Sequence, residues 1–195
     1  KMLIVITGLD GSGTSTVGKE LHKIDDGSYL LKTPSKEYTG REIIDTEVRH
    51  ESCVANMLYY LSSDVYMSDY IRNNLDYKNK NVYLVRYLID TVVSNRVAGI
   101  DMKMDYTIYG NELLVPDLTL FVYADEQTRQ SRITSRGKTE LDAVLDGDEK
   151  RQMFLTEFKQ CLPENTIYVN NSSSDLKETI NKIYQNIKNI QRQRK

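Results

Sequence analysis

The run Gly8-Leu9-Asp10-Gly11-Ser12-Gly13-Thr14-Ser15-Thr16 sets glycines and hydroxyls where they can hold a polyphosphate. Its pattern is G-x-x-x-x-G-x-[ST], the phosphate-cradling loop with the usual Lys replaced by Thr14. Gly8, Gly11 and Gly13 have no Cβ, so the backbone can turn sharply and aim successive N–H groups at one anion. The helix that follows adds its unpaired N–H groups and the positive end of its dipole. Gly8, Gly11, Ser12, Gly13, Thr14, Ser15 and Thr16 are therefore the candidate phosphate-binding residues, and the Ser15 hydroxyl is the candidate Mg²⁺ ligand. Thr14 brings no charge, and Lys19, five residues further along, is expected to point away from the loop.

Other residues could act on the phosphates that such a loop holds. Arg86 follows an apolar run ending at Val85 and could clamp an acceptor phosphate by paired N–H bonds, or could pair with a helix acid instead. Asp10 could accept from a sugar hydroxyl or brace the local turn. Arg129, Arg132 and Arg136 follow i, i+3, i+7 spacing and share a helix face. Such cations fit a lid closing over transferring phosphates, with Arg132 and Arg136 as the main candidates; salt bridges to Asp125, Glu126 or Glu140 are the alternative. The acidic positions Glu140, Asp142, Asp146, Asp148 and Glu149 read as solvated lid surface rather than a metal site.

These residues need a frame, and the alternation of apolar runs and helical periodicity supplies one. Strands are expected at Met2–Ile6, Ser28–Lys32, Asn81–Val85, Leu118–Tyr123 and Thr166–Val169. Helices are expected at Ser15–Ile24, Gly40–His50, Glu51–Asp76, Leu88–Val97, Asp125–Arg136 and Asp148–Cys161, with a last helix capped by Asp175. Met102–Leu114 is ambiguous, and Gly137–Gly147 is polar and breaks the periodicity. Strands separated by helices imply right-handed crossovers and one five-stranded parallel sheet with helices on both faces, an α/β fold of three layers. Ligands of such sheets bind at the carboxyl ends of the strands. That places Gly8–Thr16, Thr33–Lys36, Arg86-Tyr87, Ala124–Glu126 and Asn170–Ser174 together.

At 195 residues and 39% apolar content, one domain over residues 1–195 is expected, with a lid at about 136–148. The net charge of −2 demands neither a nucleic acid polymer nor an anionic membrane as partner. No apolar run approaches the roughly 20 residues of a membrane span. Cys53 and Cys161 read as two buried free thiols, and with no signal peptide visible a cytoplasmic protein is expected.

In order and wording these motifs resemble the thymidylate kinases and related deoxynucleotide kinases, which share the P-loop kinase fold. Gly8-Leu9-Asp10-Gly11-Ser12-Gly13 resembles that family's G-L-D-G-x-G loop, and Pro116-Asp117-Leu118-Thr119-Leu120 its P-D-L-T-[IL] segment. Thr33-Pro34 with Gly40, Val85-Arg86-Tyr87, Arg132-Ile133 and Arg136-Gly137 stand where the family has F-P…G, D-R-Y and its lid arginines. Asn170 to Ser173 stands at the adenine-side loop, and Ser94-Asn95 near a Y-Q pair. The resemblance implies ATP as donor, Mg²⁺, a deoxynucleoside monophosphate such as dTMP as acceptor, and a homodimer built on the long helices. It implies acceptor contacts by Asp10, Pro34, Arg86, Tyr87 and Asn95, and catalytic roles for Arg86, Arg132 and Arg136. The chain departs from the pattern at Thr14, at Val85 in place of Asp, and at Val65 in place of the base-reading Arg. A weakened enzyme, a non-catalytic nucleotide-binding homologue, and a kinase of a nucleoside or other small acceptor therefore stand as alternatives.

Overall fold

The first apolar run forms β1, Leu3–Thr7, buried along its whole length. Successive side chains of a strand point to opposite faces, so a strand apolar from Leu3 to Ile6 needs cover on both. Leu3 and Val5 enter one core and Met2, Ile4 and Ile6 the other. The structure is a computed structural model, which describes residues 1–107, 112–172 and 175–193. Parts of the Met102–Leu114, Asn170–Ser174 and C-terminal readings lie outside those residues, as do the side chains of Glu140 and Leu141.

The remaining strands are β2 (Tyr29–Lys32), β3 (Val82–Val85), β4 (Leu118–Tyr123) and β5 (Ile167–Asn170). All pair in parallel in the order β2-β3-β1-β4-β5. The sheet carries α1 (Thr14–Ile24) and α9 (Leu176–Gln193) on one face, where Val17, Leu21, Ile180, Ile183 and Ile187 are buried. The other face packs against α4 (Cys53–Asn74), α5 (Leu88–Val97) and α8 (Asp148–Cys161) through Leu61, Ile71, Leu88, Val92 and Phe158. This is the expected three-layer α/β arrangement with helices on both faces.

Local signals fall where they were expected. Asp125 caps α6 (Glu126–Arg136), its carboxylate accepting from the Thr128 N–H at 2.8 Å. Asp175 accepts from the Glu178 N–H at 3.1 Å at the start of α9. The segment predicted as one helix over Gly40–His50 is instead α2 (Arg41–Ile43), a π-helical turn (Ile44–Val48) and α3 (Arg49–Glu51). The wider turn leaves Asp45 buried, where Tyr60 Oη donates to both carboxylate oxygens at 2.7 and 2.8 Å. The Gly137–Gly147 stretch contains α7 (Glu140–Val144), opened by a capping box between Thr139 and Asp142. Cys161 is buried but Cys53, in the first turn of α4, is exposed, so the expectation of two buried thiols holds for one. Among the described residues no helix is long and apolar enough to cross a membrane.

Candidate active site

β1 delivers the chain into the loop at Gly8, and α1 takes it away at Thr14. Two of the glycines are required by close approach. A Cβ on Gly8 would lie 2.1 Å from the Val122 carbonyl oxygen, and one on Gly13 would lie 2.2 Å from Asn171 Nδ2. Gly13 is also the N-cap of α1, at φ 97°, with no side-chain cap.

Three loop carbonyls are held by arginines, one of them by an asparagine amide as well. Gly8 O accepts from Arg86 Nη1, Asp10 O from Arg129 Nη1, and Ser12 O from Arg132 Nη1 at 3.2 Å and Asn171 Nδ2 at 2.8 Å. The Ser12 N–H closes the turn on Leu9 O at 3.1 Å, and a loop of this kind can offer its remaining N–H groups to an anion. The buried Ser12 hydroxyl has no hydrogen-bond partner among the described residues. An uncapped helix N-terminus, a buried orphan hydroxyl and glycines pinned by neighbours fit a nucleotide polyphosphate. For Mg²⁺, Ser15 is half-buried beside this loop, with one hydroxyl oxygen to offer. That suits an ion that keeps its waters and takes phosphate oxygens as its other ligands.

Arg86 ties the loop to the next strand. Its φ of 67° is the one positive value outside glycine among the described residues. A residue held there costs on the order of 1–3 kcal/mol, so its surroundings must enforce it. Nη1 bonds Gly8 O and Asp90 Oδ1 (2.6 Å), and Nη2 bonds Asp10 Oδ1 (2.8 Å). Burial works against its charge, but Asp90 and Asp10 outweigh burial and raise its pKa. Asp90 also accepts from Thr7 Oγ1 at 2.7 Å and from the Tyr87 N–H at 3.2 Å. Burial raises the Asp90 pKa in spite of Arg86.

The arginines of α6 divide. Arg129, 1% exposed, holds Asp10 O while Glu126 accepts from its Nε at 2.9 Å. Arg132 bridges Ser12 O and Asn171 O, the latter at 2.8 Å. Arg136 instead reaches Asp142, whose side chain is buried and accepts from Thr139 N and Oγ1 at 3.0 and 2.8 Å. Asp142 is therefore a buried anchor for an arginine, not part of a solvated surface, because α7 folds it inward. Burial would raise its pKa, but the Thr139 bonds and Arg136 hold it below the usual carboxylate range.

Other candidates are drawn in to different degrees. Pro34 lines a cavity of about 370 Å³ at the carboxyl end of β2 with Lys32, Tyr66 and Tyr70. Tyr87 is core: its hydroxyl lies 2.5 Å from Ser68 Oγ and donates to Leu114 O at 3.1 Å. Asn95 is not brought to the loop; it is buried, and its amide donates to Thr91 O at 2.7 Å. Three residues escaped the sequence reading. Asp90 could have been found four residues after Arg86, one helical turn into α5. Lys32 stands out as a charge ending an apolar strand. Asp64 stands in Ser63-Asp64-Val65, at the place of the family's A-D-R, but was given no role there: it is fully buried in α4, accepts from Thr91 Oγ1 at 2.7 Å, and burial pushes its pKa up to about 8.

A Gly-rich strand–loop–helix braced by arginines at the carboxyl ends of a parallel sheet defines the class of P-loop kinases. Within that class the chain belongs to the thymidylate kinase family, whose model matches residues 6–183. It is 27% identical over 194 residues to a probable thymidylate kinase of Methanocaldococcus jannaschii, covering 97% of each chain. It is 28% identical over 141 residues to a probable thymidylate kinase of Pyrobaculum aerophilum, covering 70% of this chain and 72% of that one. Its fold resembles thymidylate kinase from Candida albicans (TM-score 0.60, 24% identity, 97% and 90% of the two chains). It also resembles deoxyadenosine kinase from M. mycoides (TM-score 0.70, 23% identity, 96% and 100%).

Proposed function

We propose that this chain transfers the γ-phosphoryl group of ATP to a (deoxy)nucleoside monophosphate, with dTMP or a close analogue as acceptor. The observation that carries the reading is Arg86, held at positive φ between the loop carbonyl of Gly8 and the carboxylates of Asp10 and Asp90. A guanidinium so placed has its fork fixed beside the donor phosphates, where it can hold an acceptor phosphate in line. The loop from Gly8 to Thr16 binds the donor phosphates through its backbone. Asp10, whose second carboxylate oxygen is unused among the described residues, takes a hydroxyl of the acceptor sugar, and Pro34 borders its path. Arg132 braces the loop, and Arg136 with residues 136–148 closes over the transferring group once it leaves Asp142. Ser15 would hold Mg²⁺, which when bound draws charge from the transferring phosphate.

Residues 1–195 are read as one cytoplasmic kinase domain. Val54 and Leu58 of α4 and Ile43 of α2 are half or more exposed, which supports a homodimer across the long helices. Phosphoryl transfer needs positioning and charge more than covalent help, so the loss of the loop Lys weakens such a site without dismantling it.

The test is ADP release by the purified protein with MgATP against a panel of nucleosides and nucleoside monophosphates that includes dTMP. Release dependent on a monophosphate supports the proposal, and release with nucleosides alone reassigns the acceptor. A second reading, a nucleotide-binding homologue without catalysis, is favoured by Thr14, which is buried and uncharged. It predicts a higher melting temperature with ATP and no ADP release with any acceptor.

A further inference from the structure

We infer that Lys32, the last residue of β2, binds the acceptor's phosphate and supplies from the acceptor side the mobile ammonium that the loop lacks at Thr14. This rests on the reading that the acceptor carries a phosphate.

Position is the first argument. Lys32 lies opposite Val85 in the sheet, and Val85 lies opposite Ile6. The next residues on those strands are Arg86 and Thr7, the last before Gly8. Lys32 thus ends its strand at the level where the acceptor clamp and the donor loop begin. Leu30, two residues earlier and so on the same face, packs into the core shared with α1 and α9. That face carries the helix opened by the phosphate loop.

Charge is the second argument. The charged groups acting on Lys32 are Arg41, Arg86, Arg136 and Asp10. Each arginine has its own carboxylate: Arg41 has Asp45, Arg86 has Asp90 and Asp10, and Arg136 has Asp142. Among the described residues Lys32 has no hydrogen bond or ion pair, and its nearby carboxylate, Asp10, is already engaged by Arg86. Partial burial and the surrounding guanidiniums lower its pKa from the ordinary lysine range. A cation kept uncompensated among cations is relieved by a polyanion arriving between them. The cavity of about 370 Å³ beside Lys32 leaves its stem free to swing, and a flexible point charge suits a group that changes partners during transfer.

Binding separates this inference from the proposed function. Titration calorimetry without ATP would compare dTMP and thymidine on wild type, Lys32→Ala and Lys32→Arg, with Lys23→Ala as a remote lysine control. Lys32→Ala should weaken dTMP binding about 10-fold or more, the range for a charged hydrogen bond. It should leave thymidine and ADP affinity unchanged, and Lys32→Arg should recover most of the dTMP affinity. Because the Lys32 side chain has no hydrogen bond or ion pair to lose among the described residues, the variant should keep the wild-type melting temperature. Unaltered dTMP affinity in Lys32→Ala, with wild type binding dTMP, would overturn the inference and leave the kinase reading standing. Equal losses for dTMP and thymidine, or a loss confined to ADP, would also overturn it. Should wild type not bind dTMP, the same titrations run with the other nucleoside monophosphates of the ADP-release panel, and failure to bind any of them would overturn the kinase reading and the inference together.

Discussion

The donor loop and the acceptor wall of this site are built from different materials. Around Gly8–Thr16 the proposed working groups are backbone N–H groups, and side chains hold the carbonyls: Arg86, Arg129, Arg132 and Asn171 each bond one. On the proposed acceptor side the groups are side chains meeting across elements, Lys32 from β2 and Arg86, which Asp90 holds at the start of α5. A backbone site survives the loss of a single side chain such as the loop Lys, because its geometry is fixed by glycines and by the helix start. A side-chain site does not, and Val65 and Val85, which stand where the family has polar residues, pack into the two cores instead. Donor binding is thus expected to be robust and acceptor choice to be where this protein differs from its relatives.

The comparison can be broken most sharply at Arg86, which belongs to both regions. Arg86→Ala should lower turnover at least about 100-fold, the size of a lost charge clamp, in an ADP-release assay. It also leaves Asp90 buried without its cation. Arg136→Ala should approach the same loss while leaving ATP affinity near wild type, since Arg136 touches Asp142 and not the loop. Unchanged turnover in both variants would sink the assignment.

Gly13→Ala tests the donor side alone. The added methyl meets Asn171 Nδ2 and forces φ 97° on an L-residue, a strain of about 1–3 kcal/mol. ATP affinity measured by calorimetry should fall roughly 10- to 100-fold, with the affinity for the acceptor alone little changed. A matching fall in acceptor affinity would mean that the two regions are one mechanical unit.

A last effect is expected on stability rather than on activity, a pH dependence from the buried carboxylates Asp64 and Asp90. The folded Asp64 has its pKa raised from the ordinary carboxylate range near 4 to about 8. Between those values the folded chain holds a proton that the unfolded chain has released, so stability falls as pH rises through that window. Burial raises the Asp90 pKa in the same direction. The melting temperature should drop from pH 5 to pH 8, and Asp64→Asn should flatten much of that slope. A wild-type slope of the opposite sign would show that Asp64 is ionised in the folded state.

Much of the scaffold was legible in the sequence because it depends on neighbours along the chain. Leu88–Val97, Leu118–Tyr123 and Asp148–Cys161 have the expected bounds, and Asp125 and Asp175 cap as their positions suggested. The phosphate loop was legible for the same reason, since its glycines and Ser15 follow one local rule. Gly40–His50 was less so, because its π-helical turn accompanies contacts from Tyr60 and Asn56 on a different helix.

The side-chain partnerships came only with the tertiary structure. Regular spacing put Arg129, Arg132 and Arg136 on one helix face, yet two hold loop carbonyls and the third holds Asp142. Tyr87 and Asn95 sit at motif positions yet bury their polar ends in the packing of α4, α5 and the chain leading to β4. The sequence by itself determined the order of elements, the parallel sheet and the backbone cradle, because hydrophobic period, turn residues and caps act within a few positions. The tertiary structure decided which charges meet, Arg86 with Asp10 and Asp90, Arg136 with Asp142, and Lys32 with none among the described residues, because those distances depend on how strands far apart in sequence are laid side by side.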